Sequence, residues 1–172
     1  MFSTLVASTP WPEKPGSRSA LGPCPGTATA MAVAELASQQ KLLVVVVPSS
    51  ASAAALEREL PLFSSAPLNI LTLPDWETLP YDNFSPHQDI VSERLATFHQ
   101  LQDIATGILI VPITTLMQRT PPVHYVAGNS LVLDVGQALD SKTLIHNLTL
   151  NGYRAVDTVY EHGEYAVRGS LL

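Results

Sequence analysis

The hydrophobic positions of this 172-residue chain fall into short apolar runs separated by longer stretches of mixed character. Two runs, Leu42 to Val47 and Gly107 to Val111, are continuously apolar, and a proline follows each of them. Continuous apolar runs of this length are typical of strands covered on both faces. A shorter run, Asn69 to Leu73, predicts a third strand, and Ser130 to Val135 predicts a fourth.

Helical stretches lie between these predicted strands. The alanine-rich segment 27–40 predicts a helix with Thr27 near its cap, because alanine has the highest helix propensity. Ser50 is placed to cap a second helix that ends near Leu60. A third helix is predicted from a capping box, in which Ser85 is the N-cap, Pro86 is N1 and Gln88 is N3.

The third helix carries an apolar stripe. Val91, Leu95 and Phe98 follow one another at intervals of four and three residues, so they lie on one face of a helix with 3.6 residues per turn. This spacing predicts that the stripe faces a core.

Strands that alternate with helices are typical of βαβ units, which build parallel sheets with right-handed crossovers. The sequence therefore predicts an α/β domain over residues 16–137, with an open doubly wound parallel sheet, after a loose lead-in over residues 1–15. Residues 138–172 predict the truncated start of a second, α+β domain: a helix capped by Ser141 is followed by strands over 155–160 and 164–172.

Charge and composition exclude several classes of function. Nine Lys and Arg against fifteen Asp and Glu give a net charge of −6, and the cations are not clustered. Duplex DNA is bound by clustered cations that neutralise phosphates, so we expect this chain by itself to bind DNA poorly. The N-terminus lacks the basic and apolar regions of a signal peptide, and no apolar run could span a bilayer. With a single cysteine, Cys24, these features predict a cytoplasmic protein without membrane contact.

Three stretches carry a resemblance to a known family: LPDWETLPYDNFSPHQDIVSERL over residues 73–95, ILIVPITTLMQR over 108–119, and GYRAVDTVYEHGEYAVRGSLL over 152–172. They resemble the N-terminal region of the bacterial transcription-repair coupling factors, which is related to the excision-repair protein UvrB. The resemblance implies a domain like the RecA-type domain 1a of UvrB, followed by the start of a domain that binds the repair protein UvrA.

The resemblance also implies what the whole protein does in this family. Such a protein recognises stalled RNA polymerase, translocates on DNA with ATP and recruits UvrA. The polymerase and DNA contacts are made by other domains, and the N-terminal module docks on distant domains of the same chain. This stretch would therefore be a scaffold and adaptor for UvrA, without catalysis and without a cofactor.

By the same resemblance, Arg168 matches an arginine that contacts UvrA, and Arg154 and Glu164 are lesser candidates for the same surface. Strand alternation would place Arg168 on the face opposite Val167, open to a partner. Arginine suits this role because its planar fork pairs with carboxylates through two hydrogen bonds. The alternative is a solvated arginine in a weak local ion pair.

A degenerate phosphate-binding loop is predicted at residues 22–29, GPCPGTAT. Gly22, Gly26 and Thr29 stand where a P-loop has its glycines and its magnesium-binding hydroxyl, but Ala28 replaces the lysine. Two prolines also remove backbone N–H groups that would surround phosphate. The alternative function is a nucleotide-dependent enzyme with a variant loop, and a third hypothesis is a direct DNA-binding module.

An acid-rich stretch precedes the third helix, with Asp75, Glu77, Asp82, His87 and Asp89. Such groups could hold a divalent metal, but their spacing matches no established metal motif. We expect no metal here. Instead, Asp75 and Asp82 are predicted to stabilise turns, and Trp76 and Tyr81 to pack.

Overall fold

The structure is a computed structural model that describes residues 14–38, 42–64, 66–79, 81–131, 133–169 and 171–172. Most of the predicted lead-in, residues 1–13, therefore lies outside the described residues. The chain forms two compact units, one of residues 1–75 and 103–118 and one of residues 76–102 and 119–172. The domain limits proposed from sequence, at 1–15, 16–137 and 138–172, stay predictions.

The helices and strands are numbered here in chain order: α1 Ala28–Ala37, β1 Leu42–Val47, α2 Ser50–Glu59, β2 Ile70–Thr72, α3 Gln88–Asp103, β3 Gly107–Pro112, α4 Ile113–Leu116, α5 Val123–Asn129, α6 Ser141–Leu150, β4 Arg154–Ala155 and β5 Glu164–Tyr165. A short 3₁₀ helix, Leu60–Phe63, follows α2. Within the described ranges, no helix is long and apolar enough to cross a membrane.

The first unit is built on a three-stranded parallel sheet in the order β1-β3-β2. Its central strand, β3, is buried along its whole length. Helices α1 and α2 pack against the sheet around a cluster of small and branched apolar side chains, formed by Ala30, Val33, Ala34, Val47, Ala53, Leu56, Leu60, Ile108 and Ile110. The prediction of an α/β fold with a parallel sheet is confirmed at this level.

The start of β3 lies very close to the backbone of Asn69, just before the neighbouring strand β2. The N–H of Ile108 donates to the carbonyl of Asn69 at 2.8 Å. A Cβ atom on Gly107 would lie only 2.6 Å from the same carbonyl oxygen. Glycine is therefore required for this entry into the sheet.

Strand β1 does not have the coverage that its sequence predicted. Alternate residues Leu42, Val44 and Val46 are 37%, 49% and 45% exposed, whereas Leu43 and Val45 pack against the core cluster. The prediction of burial on both faces was wrong, because only the face that carries Leu43 and Val45 meets the core cluster. A continuous apolar run cannot distinguish a half-covered strand from a fully covered one.

The helix starts are shifted from their predicted positions. The N-cap of α2 is Ser49, whose hydroxyl accepts from the Ser52 N–H at 3.2 Å, and not Ser50. The N-cap of α6 is Asp140, which accepts from the Lys142 and Thr143 N–H groups, and not Ser141. Thr27 is at the predicted N-cap of α1, but its side chain makes no capping hydrogen bond.

Helix α3 departs from its sequence pattern in two respects. It begins at Gln88, and its first turn is closed by a hydrogen bond from the Val91 N–H to the His87 carbonyl. The capping box on Ser85 is therefore wrong. The buried side chains are Arg94 and Thr97, whereas Leu95 is 48% exposed, so the buried face is rotated from the predicted stripe.

The fourth strand, predicted at 130–135, is absent among the residues described there. Helix α5 ends at Asn129, just before this segment, and Leu131 and Leu133 within it are 58% and 50% exposed. Val132 lies outside the described residues. An alternating pattern forms a strand only where another strand is available to pair with it, and none of the described strands pairs with this segment.

Candidate partner-binding site

Glu164 is the centre of a charged turn in the second unit. One carboxylate oxygen, Oε1, accepts from Nη2 of Arg154 at 3.0 Å. The other, Oε2, accepts from the backbone N–H groups of Tyr160 and Glu161 at 3.0 and 3.1 Å. These N–H groups, Tyr160 first, and the Arg154 charge lower the pKa of Glu164 from its ordinary value of 4.5. Glu164 is thus used to stabilise its own turn.

The same turn is framed by two very short strands. β4 and β5 are parallel and pair Arg154 with Glu164 and Ala155 with Tyr165. The backbone N–H of Arg154 donates to the Gly163 carbonyl at 2.8 Å, and that of Val156 donates to the Tyr165 carbonyl at 2.9 Å. The predicted strands over 155–160 and 164–172 were therefore too long, because most of their residues form the turn.

Arg168 lies beyond β5 in a second turn. Its N–H donates to the Leu171 carbonyl at 3.0 Å, and the Leu171 N–H donates to the Arg168 carbonyl at 3.1 Å. Gly169 has a φ of +63° within this turn. The predicted strand alternation around Arg168 is therefore wrong. The predicted exposure is found nevertheless, since Arg168 is on the surface, and across the described ranges its guanidinium has no ion pair.

The three predicted partner-binding residues therefore differ in their surroundings. Arg154 and Glu164 are brought together, and Arg154 also lies 3.7 Å from a carboxylate oxygen of Glu161. Both were predicted from sequence as lesser candidates for one surface, but their pairing was not predicted. Arg168 is the candidate whose charged group is available to another molecule.

The polar groups of the degenerate phosphate loop, residues 22–29, form hydrogen bonds with other residues of the loop. The hydroxyl of Thr29 donates to the Cys24 carbonyl at 3.2 Å, and the N–H of Ala28 donates to the Pro25 carbonyl at 3.3 Å. Gly26 has a φ of +57°, and the space beside Gly22 is open. A hydroxyl and an N–H that would bind a nucleotide are thus used within the loop, and the residues present do not fit a triphosphate.

The acid-rich stretch separates into local contacts. Asp75 accepts from the Thr114 hydroxyl and, at 3.2 Å, from Nε2 of Gln118, so it ties the end of β2 to α4 within the first unit. Asp82 accepts from the Leu79 N–H at 2.7 Å and closes a turn. Among the residues that the structure describes, no three His, Cys, Asp or Glu side chains are placed to hold a metal ion.

Trp76 and Tyr81, the aromatic residues of this stretch that were predicted to pack, have opposite surroundings. Trp76 stacks on the guanidinium of Arg94, whose central carbon lies 4.1 Å from the ring centroid, and Arg94 is only 1% exposed. The packing predicted for Trp76 is present, and the buried arginine beneath it was missed. Tyr81 is fully exposed at 103%, so its predicted packing is wrong.

Comparison with known proteins adds the following similarities. Residues 131–172 match the family described as UvrB interaction domain. The chain is 46% identical over 162 residues, 94% of its length, to the transcription-repair-coupling factors of Escherichia coli (strain K12) and Haemophilus influenzae. It is 35% identical over 104 residues to that of Myxococcus xanthus. The chain spans 14% of the length of the first two relatives.

Proposed function

This chain is homologous to the transcription-repair-coupling factors, and on that premise we propose that it is a non-catalytic adaptor that binds UvrA in DNA repair. Its setting is then transcription-coupled nucleotide excision repair in the bacterial cytoplasm. Contacts with RNA polymerase and DNA, and movement along DNA with ATP, belong in this proposal to other domains of a longer protein.

One observation carries the proposal: the match to the UvrB interaction domain covers residues 131–172 and includes an exposed arginine, Arg168. An arginine in such a position can form two parallel hydrogen bonds with a carboxylate of a partner. Arginine is also enriched among the residues that dominate binding energy at interfaces. We assign Arg168 as the main contact, with Arg154 and Glu164 holding the adjacent turn.

The absence of catalysis is part of the proposal and rests on the phosphate loop. Ala28 supplies no ammonium group, and the Thr29 hydroxyl is directed at the Cys24 carbonyl. The favoured function is therefore an adaptor and not an enzyme that depends on a nucleotide. No contact in the described residues favours the alternative.

Binding to purified UvrA, measured by calorimetry, tests the proposal. We expect wild-type chain to bind, and Arg168→Ala to weaken binding at least tenfold, because a charge-assisted contact is lost. Arg58→Ala is the matched control, since Arg58 is an exposed arginine in the last turn of α2, outside the matched family region, and its removal should leave affinity unchanged.

Two results would contradict the proposal. If wild-type chain fails to bind UvrA, the adaptor role is wrong. If Arg168→Ala and Arg58→Ala behave alike, the assigned contact is wrong. Circular dichroism of each variant establishes that the fold is intact.

A further inference from the structure

A turn in the second unit presents three large apolar side chains to solvent. Leu79, Tyr81 and Phe84 are 74%, 103% and 81% exposed, although their neighbour Trp76 is stacked on Arg94. We call Leu79 together with residues 81–84 the aromatic turn. Single exposed apolar residues are common on protein surfaces, but several large ones close together along the chain are a candidate interaction site.

The aromatic turn is held in shape before any partner arrives. The Leu79 N–H donates to Oδ2 of Asp82 at 2.7 Å, and the Asp82 N–H donates to the Leu79 carbonyl at 3.1 Å. Tyr81 has a φ of +75°, which non-glycine residues rarely adopt. A turn that is already ordered loses less conformational entropy on binding, so these aromatic residues are well suited to anchor a partner.

The charges around the turn indicate the chemistry of that partner. Glu77, Asp82 and Asp89 accompany the aromatic residues, and the whole chain carries a net charge of −6. Nucleic acid would be repelled by this surface. The complementary surface is an apolar pocket of a protein, bordered by Lys or Arg.

A direct contact joins this region to the turn that carries the proposed partner residues. Nε2 of His162, in the Glu164 turn, lies 3.5 Å from Oδ1 of Asp89, in the first turn of α3. Phe84 precedes Asp89 by five residues, a reach of at most about 18 Å, and Arg168 follows His162 by six residues, at most about 22 Å. With the side chains of Asp89 and His162 included, Phe84 and Arg168 therefore lie at most about 50 Å apart. Protein interfaces that bury up to roughly 5,000 Å² in total are wide enough to include both places.

We infer that the aromatic turn is a second, apolar contact for the same partner that binds Arg168. This inference rests on the proposed function and extends it. Polar contacts at Arg168 give orientation and specificity, and aromatic anchors in apolar pockets supply most of the affinity in typical interfaces. The two contacts are then complementary parts of one interface.

The test uses purified UvrA and the full chain. Tyr81→Ala and Phe84→Ala should each weaken UvrA binding at least fivefold, with unchanged circular dichroism. Tyr125→Ala is the matched control, because Tyr125 is a 57% exposed tyrosine of α5 outside the aromatic turn, and its affinity should equal that of wild type.

A second pair of variants tests the ordered turn itself. Asp82→Ala removes the acceptor of the Leu79 N–H and should weaken UvrA binding several-fold while both aromatic residues remain. Asp82→Asn keeps an oxygen acceptor at this position and should restore most of the affinity.

The outcomes separate this inference from the proposed function. If Arg168→Ala weakens binding and the aromatic variants do not, the inference is wrong and the adaptor role stands. If wild-type chain does not bind UvrA, both are wrong. Equal losses in Tyr125→Ala, or duplex DNA binding that Tyr81→Ala abolishes, would also overturn the inference.

Discussion

Glu164 illustrates how one side chain can organise a turn. Its two oxygens accept from Arg154 and from the N–H groups of Tyr160 and Glu161. Backbone N–H groups are strong partners for a carboxylate, because they favour the charged form. Protonation of Glu164 would therefore weaken all three interactions together.

This arrangement predicts a pH dependence of stability. Because the pKa of Glu164 is lowered on folding, its stabilising contribution is present above the unfolded-state pKa and is lost as the pH falls through the folded-state value. We expect the urea midpoint of wild-type chain to fall more steeply between about pH 6 and about pH 3 than that of Glu164→Gln. Parallel declines for the two proteins would contradict this role.

At the scale of single residues, the exposure of the charged Arg168 was predicted, but the long-range contacts were not. Arg168 is exposed as predicted, but neither the stacking of Arg94 on Trp76 nor the long-range bonds of Asp75 could be predicted. Arg94 is 18 residues from Trp76, and Asp75 is separated from Thr114 by 39 residues. Such pairs depend on how distant segments meet in space, and no sequence pattern around Arg94 or Asp75 indicates the partner.

At the scale of elements, the main helices and the three strands of the first sheet follow local sequence, but the helix starts and the later strands do not. Serine pairs such as Ser49 and Ser50 offer two hydroxyls that could cap α2, and sequence cannot choose between them. The choice depends on backbone geometry, since the N-cap residue must be extended while its side chain reaches the N–H three residues on. Ser49, with φ −154° and ψ 164°, meets this condition.

The assignment of this cap can be tested directly. Ser49→Ala should lower the free energy of unfolding by about 1 kcal/mol, because the Ser52 N–H loses its acceptor. Ser50→Ala is the adjacent control and should change it by no more than about 0.5 kcal/mol. Both are measured by urea unfolding. A larger loss of stability in Ser50→Ala would show that Ser50 is the N-cap, as predicted from sequence.

At the scale of the whole molecule, the phosphate loop is the feature on which the choice between the proposed adaptor and the enzyme hypothesis depends. Its hydrogen bonds run within the loop, from Thr29 to Cys24 and from Ala28 to Pro25. The net charge of −6 also disfavours a polyanionic nucleotide. Both features support a protein that acts by binding other proteins.

Thermal unfolding in the presence of Mg-ATP tests whether the chain binds nucleotide. A nucleotide at about 100 times its dissociation constant would stabilise the fold by about 2.7 kcal/mol. For a chain of this size, that corresponds to a rise of roughly 5 to 10 °C in the unfolding temperature. We expect no rise, and a shift of this size would favour the enzyme hypothesis.

The sequence by itself determined the class of fold, the order of the elements in the first sheet and the similarity to the coupling factors. Hydrophobic periodicity depends only on neighbours along the chain, and the strands β1, β2 and β3 were found from it. The resemblance to the coupling factors over residues 73–95, 108–119 and 152–172 likewise depends only on residue order, and the comparisons confirm it.

Tertiary structure alone decided which apolar residues are covered. Val44 and Leu95 belong to patterns typical of a core, yet both are about half exposed, because coverage depends on whether another element lies above them. The same holds for Tyr81 and Trp76, five residues apart in one turn-rich stretch. Arg94 covers the ring of Trp76, and Tyr81 projects into solvent, available to the partner that we propose.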